Sequence, residues 1–285
     1  MAAKIIDGRK IAGKIKEDVS NEVKSLYEKH GSKPNIATIK IGENKESNLY
    51  LKLRDKACEN VGINSTHVEL SSDISEKKVL DKISELNKDK NIHGVLVQMP
   101  LPNHISSNKI FELLDPKKDV EGFTPFNLGQ LLSGNELIIP CTPLSVLKIL
   151  EYEKTKLKGK DVLIVNHSNV VGKPLSALFL NRNSSVSVVH VFTKDLSIYS
   201  KKADILVSAA GVKGLIKKEL IKPGSFVIDV GIIKTESGVT GDVDFDSVKE
   251  IAGKITPVPG GVGPVTVACS LLNMLKTFKQ VVENK

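Results

Sequence analysis

The sequence predicts an α/β fold of two domains, the second a Rossmann-like doubly wound parallel sheet, with a C-terminal helix packing back on the first. Three observations carry that expectation. Short β-branched runs alternate with segments of helical period along nearly the whole chain. In residues 161–180 the apolar run Val162-Leu-Ile-Val165 meets a tight loop, and then Gly172, Pro174 and the spacing of Leu175, Leu178 and Phe179 announce a helix. The 285 residues are 40% hydrophobic, enough to bury two cores. The expected division is 1–142 for the first domain, joined by the closing helix 265–285, and 143–264 for the second.

The first domain opens on an amphipathic helix over 8–29, with Ile11, Ile15, Val19, Val23 and Leu26 three and four residues apart. The run 35–41 reads as a strand ended by Gly42. Ser47 is the expected N-cap of a second helix with Leu49, Leu53, Ala57 and Val61 as its buried stripe and Gly62 as its stop. Tyr50 and Arg54 then lie side by side on its flanking face. Strand 67–70, helix 75–86 and the strongly apolar strand 92–98 follow. The last ends on Gln98, and a polar amide at the carboxyl end of a buried parallel strand is where α/β proteins place ligand contacts. Beyond a short helix near 108–114, the charged loop 115–123 alternates Asp119 and Glu121 around Val120, so that one carboxylate faces inward and the other caps a turn.

Pro140-Cys-Thr-Pro143 marks the domain boundary, with Pro143 at the first position of a helix over 144–152. In the second domain strands are expected at 161–166, 185–191, 204–209 and 225–230, and helices at 173–181 and near 195–202. A glycine loop over 256–264 leads into the last helix, 265–282. The strand, loop and helix of 161–180 read as a nucleotide cradle, because unpaired N–H groups at a helix start sit at the positive end of its dipole and suit a pyrophosphate. The full G-x-G-x-x-G is absent: Asn166 and Ser168 stand where glycines are usual, and Gly172 is the one glycine present.

Composition removes several classes of function. A net charge of +8 is accompanied by only 4% aromatics and no Trp, which argues against a nucleic-acid surface of stacked rings. Lysines along 76–90 and 213–222 read as solvated helix faces, and their summed field favours an anionic substrate or cofactor. Cys58, Cys141 and Cys269 show no CxxC spacing and the histidines no HxxxH or HExxH pair, so no metal site is expected and a reducing compartment is. The N-terminal apolar run is too short for a signal segment and no run approaches a membrane span, so the expected location is cytoplasmic, without a membrane partner.

Six separated stretches, in order, carry a resemblance. They are Ser47-Asn-Leu-Tyr50 with Lys56-Ala57, Val97-Gln-Met-Pro-Leu-Pro102, Lys118-Asp-Val-Glu-Gly-Phe123, Pro140-Cys-Thr-Pro143, Ser168-Asn-Val-Val-Gly-Lys-Pro174, and Pro257-Val-Pro-Gly-Gly-Val-Gly-Pro264 with Thr266. Over nearly its whole length the chain resembles the methylenetetrahydrofolate dehydrogenase/cyclohydrolases of one-carbon metabolism. The resemblance implies two reactions at one folate site between the domains, in a homodimer. A hydride passes from 5,10-methylenetetrahydrofolate to a nicotinamide; water then opens the methenyl bridge to 10-formyltetrahydrofolate, with proton transfers at the attacking water and the departing nitrogen.

By the same resemblance Tyr50 packs on the aminobenzoate portion of the substrate and Gln98 orients the group that handles protons. Pro100, Gly261, Pro264 and Thr266 complete the substrate site. Cofactor contacts are implied for Thr142, for Asn166, His167, Ser168, Val171, Gly172 and Pro174, and for His190, Ala210, Gly211, Gly231 and Gly263. Four positions depart from the family pattern. Its catalytic lysine falls on Arg54 and its pterin-binding aspartate on Glu121. Its Gly-Arg-Ser is Asn166-His167-Ser168, and the serine after the second strand is Val191. Since a guanidinium keeps its proton at physiological pH, Arg54 predicts a dehydrogenase with impaired hydrolysis. A fully bifunctional enzyme and a catalytically silent folate- or nucleotide-binding paralogue are the alternatives. NADP is the cofactor expected from the family, and NAD stays open because no acidic residue follows the second strand to hold a ribose hydroxyl.

Overall fold

Nearly continuous apolar runs form strands covered on both faces, and such strands pair in parallel. The computed structural model, which describes residues 2–43, 45–236 and 238–283 without the side chains of 45–50, contains two parallel sheets of this kind. In chain order the elements are β1 (Lys4–Ile5), α1 (Gly8–His30), β2 (Asn35–Ile41), α2 (Lys45–Val61), β3 (Asn64–Leu70), α3 (Glu76–Lys88) and β4 (Gly94–Val97). Then come α4 (Ser107–Leu113), α5 (Pro125–Leu132), α6 (Cys141–Tyr152), β5 (Asp161–Val165), α7 (Gly172–Leu180), β6 (Ser185–Val189), α8 (Ser197–Ser200) and β7 (Ile205–Ser208). The chain closes with β8 (Phe226–Asp229), β9 (Ile233–Thr235), β10 (Gly238–Thr240), α9 (Phe245–Val248), β11 (Lys254–Ile255) and α10 (Val262–Glu283).

The chain divides into two compact units. One holds the residues up to Ala12, Leu131–Gly134 and Thr142–Thr266; the other holds Gly13–Gln130, Asn135–Cys141 and the chain from Val267 on. The N-terminal strand therefore goes with the later sheet, where β1 pairs in parallel with β11. That sheet has six strands in the order β1-β11-β8-β7-β5-β6. Its core is packed by Leu163, Val165, Leu206, Val227 and Ile255, all buried.

In the other unit β2 lies between β3 and β4, parallel to both. Val95 bridges Asp119, which lays the segment after α4 along the edge of β4. Helix α1 buries Ile11, Ile15, Val19, Val23 and Leu26, all five expected positions. The C-terminal helix packs on this unit: the Phe278 ring meets His93 edge-on at 4.7 Å, and Lys279 pairs with Glu22 at 2.6 Å. Asn273 Nδ2 donates to the carbonyls of Val120 and Ile139 at 2.9 and 2.8 Å, tying α10 to the segment that carries Glu121.

Helix α2 differs from its expected orientation. Leu53 is 56% exposed, whereas Leu51, Arg54, Ala57, Cys58 and Val61 are buried. The stripe is 51, 54, 58 and 61, a helical spacing that takes Arg54 off the surface and into the interior. Leu49 and the expected cap Ser47 fall on residues whose side chains lie outside the description, and the helix already starts at Lys45. Helix α6 likewise starts at Cys141, which puts Pro143 at its third position. No helix among the described residues is long and apolar enough to cross a membrane.

Candidate active site

In the six-stranded sheet the chain passes from β6 on one side of β5 to β7 on the other. In open α/β sheets ligands settle at such a reversal, outside the carboxyl ends of the strands. Residues 166–171 and 209–212 occupy those ends, and Asn166 joins them: its Nδ2 donates to the Ala209 carbonyl at 2.7 Å. Asn166 Oδ1 accepts from the Ser168 N–H at 2.8 Å, the Ser168 hydroxyl at 2.7 Å and the Gly172 N–H at 3.0 Å. Ser168 Oγ in turn accepts from the Val171 N–H at 3.2 Å. One asparagine thus folds the turn that the missing glycines would otherwise form. Gly172 is required by close approach, since a Cβ there would lie 2.1 Å from the Asn166 carbonyl oxygen.

The helix start does not offer the unpaired donors expected of it. Gly172 N–H is held by Asn166, Lys173 N–H donates to the Ser168 carbonyl at 3.0 Å, and Leu175 N–H to Val171 at 2.9 Å. Pro174 has no N–H. What the start of α7 presents to an anion is its dipole.

Two aspartates absent from the sequence reading hold the neighbouring loops. Asp242 Oδ2 accepts from the Ser208 hydroxyl at 2.7 Å and the Ala210 N–H at 2.6 Å, and its Oδ1 from the Val212 N–H at 2.9 Å, which sets the turn through Gly211. Asp229 accepts from the N–H groups of Gly231, Asp242 and Val243 at 3.0, 3.0 and 2.9 Å. Burial pushes the Asp229 carboxyl up to about 6 against the pull of these donors. At the ends of β5 and β6 the exposed His167 and His190 rings meet at a tilt of 41° with centroids 4.5 Å apart. His190 Nδ1 accepts from the Phe192 N–H at 3.3 Å.

Of the remaining residues in this unit, Thr142 accepts from the Ser145 hydroxyl at 2.6 Å, and Thr266 Oγ1 lies 3.0 Å from Ser145 Oγ. Gly261 is buried, and its carbonyl oxygen would lie 1.7 Å from a Cβ on Gly8, so α1 and the glycine loop touch through two glycines. Gly263 and Pro264 are half-buried in the first turn of α10.

The other unit assembles a second group of the expected residues. Tyr50 lies on α2, but its side chain is outside the description. Arg54, at 0% exposure, donates from Nη2 to Thr38 Oγ1 at 2.7 Å. Its Nε and Nη1 meet no hydrogen-bond partner among the described residues. Gln98 continues the sheet, its N–H donating to Ile39 at 2.9 Å. The Gln98 Nε2 donates to the Met99 carbonyl at 3.0 Å, and its buried Oε1 meets no partner among the described residues. Pro100 follows through a cis peptide and is exposed.

Asp119 is buried and caps its own turn, accepting from the N–H groups of Gly122 and Thr124 at 2.8 Å each and from Asn127 Nδ2 at 3.0 Å. Glu121 is half-buried beside Cys141, whose thiol donates to the Val120 carbonyl at 3.6 Å, and desolvation lifts the Glu121 carboxyl from 4.5 to about 7; the Arg54 charge opposes that rise and the Asp119 charge adds to it. Thr38 and Cys141 were not singled out from the sequence as members of this group. A hydroxyl in the otherwise apolar run 36–39 was the available signal for Thr38.

Two family models match the sequence. Residues 6–121 match the tetrahydrofolate dehydrogenase/cyclohydrolase catalytic domain, and residues 140–282 match the NAD(P)-binding domain of the same family. The Bifunctional protein FolD of Methanosarcina barkeri is 48% identical over 96% of this chain and 95% of its own length. The crystal structure of the FolD methylenetetrahydrofolate dehydrogenase/cyclohydrolase of Campylobacter jejuni superimposes with a TM-score of 0.95 at 44% identity, covering 98% of this chain and 99% of its own. The Trypanosoma brucei FolD structure, complexed with NADP cofactor and inhibitor, gives a TM-score of 0.94 at 36% identity over 98% of both chains.

Proposed function

Because the chain belongs to the tetrahydrofolate dehydrogenase/cyclohydrolase family, we propose that it catalyses both reactions: oxidation of 5,10-methylenetetrahydrofolate and hydrolysis of the methenyl product to 10-formyltetrahydrofolate. The expectation that Arg54 impairs hydrolysis gives way here. Relatives 46% and 48% identical over nearly the full chain carry the name of a bifunctional protein. The observation that carries the reading is the buried Arg54, fixed by Thr38 and electrostatically coupled to Glu121, a carboxyl lifted to about 7. Hydrolysis needs a group that exchanges protons near neutral pH, and this site has one.

In this reading Tyr50, Gln98, Pro100 and Glu121 contact the folate, as do Gly261, Pro264 and Thr266. The dinucleotide, when bound, supplies the hydride acceptor. Asn166, Ser168 and Gly172 shape the turn beneath it, Val171 and Pro174 open the following helix, and Ala210, Gly211 and Gly231 line the loops set by Asp242 and Asp229. Thr142 and Gly263 complete the cofactor set. NADP is the preferred cofactor: no carboxylate stands in residues 189–194 to hold a free ribose hydroxyl, whereas His167, His190 and Lys194 are donors there for a phosphate.

Two assays on the purified protein test this. Methylenetetrahydrofolate with NADP, or with NAD, should give enzyme-dependent formation of the reduced dinucleotide, faster with NADP at equal subsaturating concentration. Added methenyltetrahydrofolate should decay faster than its uncatalysed hydrolysis. Absence of reduction with both dinucleotides removes the dehydrogenase, and an unaccelerated decay removes the cyclohydrolase.

A further inference from the structure

We propose that Glu121 is the catalytic residue that takes up and returns a proton in the hydrolysis step, with Arg54 acting on it as a fixed charge. The proposal rests on the bifunctional reading above. Arg54 is fully buried, tethered to Thr38 at 2.7 Å, and a guanidinium does not exchange its proton at physiological pH. It can hold developing negative charge but cannot act as a base.

Two carboxylates lie in the adjoining segment, and their surroundings separate their roles. Asp119 has both oxygens engaged by donors of its own loop: Gly122, Thr124 and Asn127. It is a structural acceptor. Among the described residues Glu121 has no such set; the Val95–Asp119 bridge and the pairing of Thr38 with Leu96 lay its segment along the strands that carry Thr38, and the groups that act on it are Arg54 from α2, Asp119 from its own segment and Cys141 from α6. Behind Cys141 stands Cys269 of α10, and burial together with Glu121 pushes the Cys141 thiol well up, so this sulfur remains a weak donor and not a competing base. Glu121 itself sits at about 7, where a carboxylate base and its conjugate acid are both populated at working pH. Lys40 is the buried ionisable side chain of β2, two residues beyond Thr38 on the same face, and its ammonium is engaged by Glu43 at 2.8 Å.

The step balances with these groups. Water adds to the methenyl carbon, forming the C–O bond, and one of its protons passes to the Glu121 carboxylate, leaving a neutral carbinolamine. The carbon–N5 bond then breaks; N5 receives the proton from Glu121 while the hydroxyl proton leaves to solvent as the carbonyl forms. The cationic substrate and water become the neutral formyl product and one released proton, with no redox partner.

The test is the pH profile of enzyme-dependent methenyltetrahydrofolate hydrolysis for the full chain, with hydride transfer measured in the same preparations. The wild type should speed up as pH rises through about 7. Glu121→Gln should lower hydrolysis by at least ~100-fold and flatten that rise, and lower hydride transfer far less. Glu121→Asp should restore a titrating limb, and Lys40→Gln should retain the original one. A neutral limb that survives in Glu121→Gln, or vanishes in Lys40→Gln, overturns the proposal. So does an equal fall in both activities of Glu121→Gln, which would mark a residue that only binds folate. A wild type that does not hydrolyse methenyltetrahydrofolate overturns the bifunctional reading itself.

Discussion

Arg54 shows how a single residue takes its meaning from depth. On a helix surface it would be a solvated cation paired with a neighbour; at 0% exposure, with Nε and Nη1 meeting no partner among the described residues, it is a buried charge retained at a cost in stability. Arg54→Met, of similar length and without charge, should leave the melting temperature unchanged or raise it, by up to ~2 kcal/mol of stability. The same variant removes the charge that favours ionised Glu121, so the rising limb of the hydrolysis profile should move to higher pH. Thermal melts and the pH–rate profile check the two halves. The sequence marked Arg54 as a departure, but its burial was not legible. Apolar side chains fall on two faces of α2, and the contact with Thr38 selects the one that includes position 54.

At the scale of an element, the loops after β5, β7 and β8 are shaped by side-chain oxygens more than by glycine. Asn166 organises the first, Asp242 the second and Asp229 the third. Asp242→Asn keeps the shape and loses the charge that receives two backbone N–H groups and the Ser208 hydroxyl. It should cost ~1–3 kcal/mol of stability and weaken NADP binding by a comparable factor, read by melting and by calorimetric titration. These aspartates carry little local signal in the sequence. A carboxylate that bonds backbone amides more than ten residues away looks like any loop aspartate until the loops are brought together. Conversely, the strand, loop and helix at 161–180 were legible from apolar runs and a glycine, while the claim on free helix-start donors failed because Asn166 and Ser168 satisfy them locally.

For the whole molecule, two carboxyls harder to ionise in the fold than in the open chain set a pH dependence of stability. Glu121 is raised from 4.5 to about 7 and Asp229 from 3.8 to about 6. The folded chain therefore holds these protons longer than the unfolded one. Their contribution is fully present below about pH 4 and is lost as pH rises through about 6 to 7. Comparing melts at pH 5 and pH 8, Glu121→Gln should lose less stability than the wild type, by on the order of 2 kcal/mol. A loss equal to that of the wild type would contradict the raised Glu121.

The sequence by itself determined the α/β class, the long helices and the central strands, because each rests on a period that repeats over many neighbouring residues. It also carried the family, through six motifs in order. Only the tertiary structure decided that the two-residue β1 and β11 complete the later sheet, since strands that short have no period to read. The same holds for the partnership of Thr38, Arg54, Glu121 and Cys141. Their coupling depends on which atoms lose water together, and the shared desolvation that brings a carboxyl to about 7 comes from segments far apart in the chain.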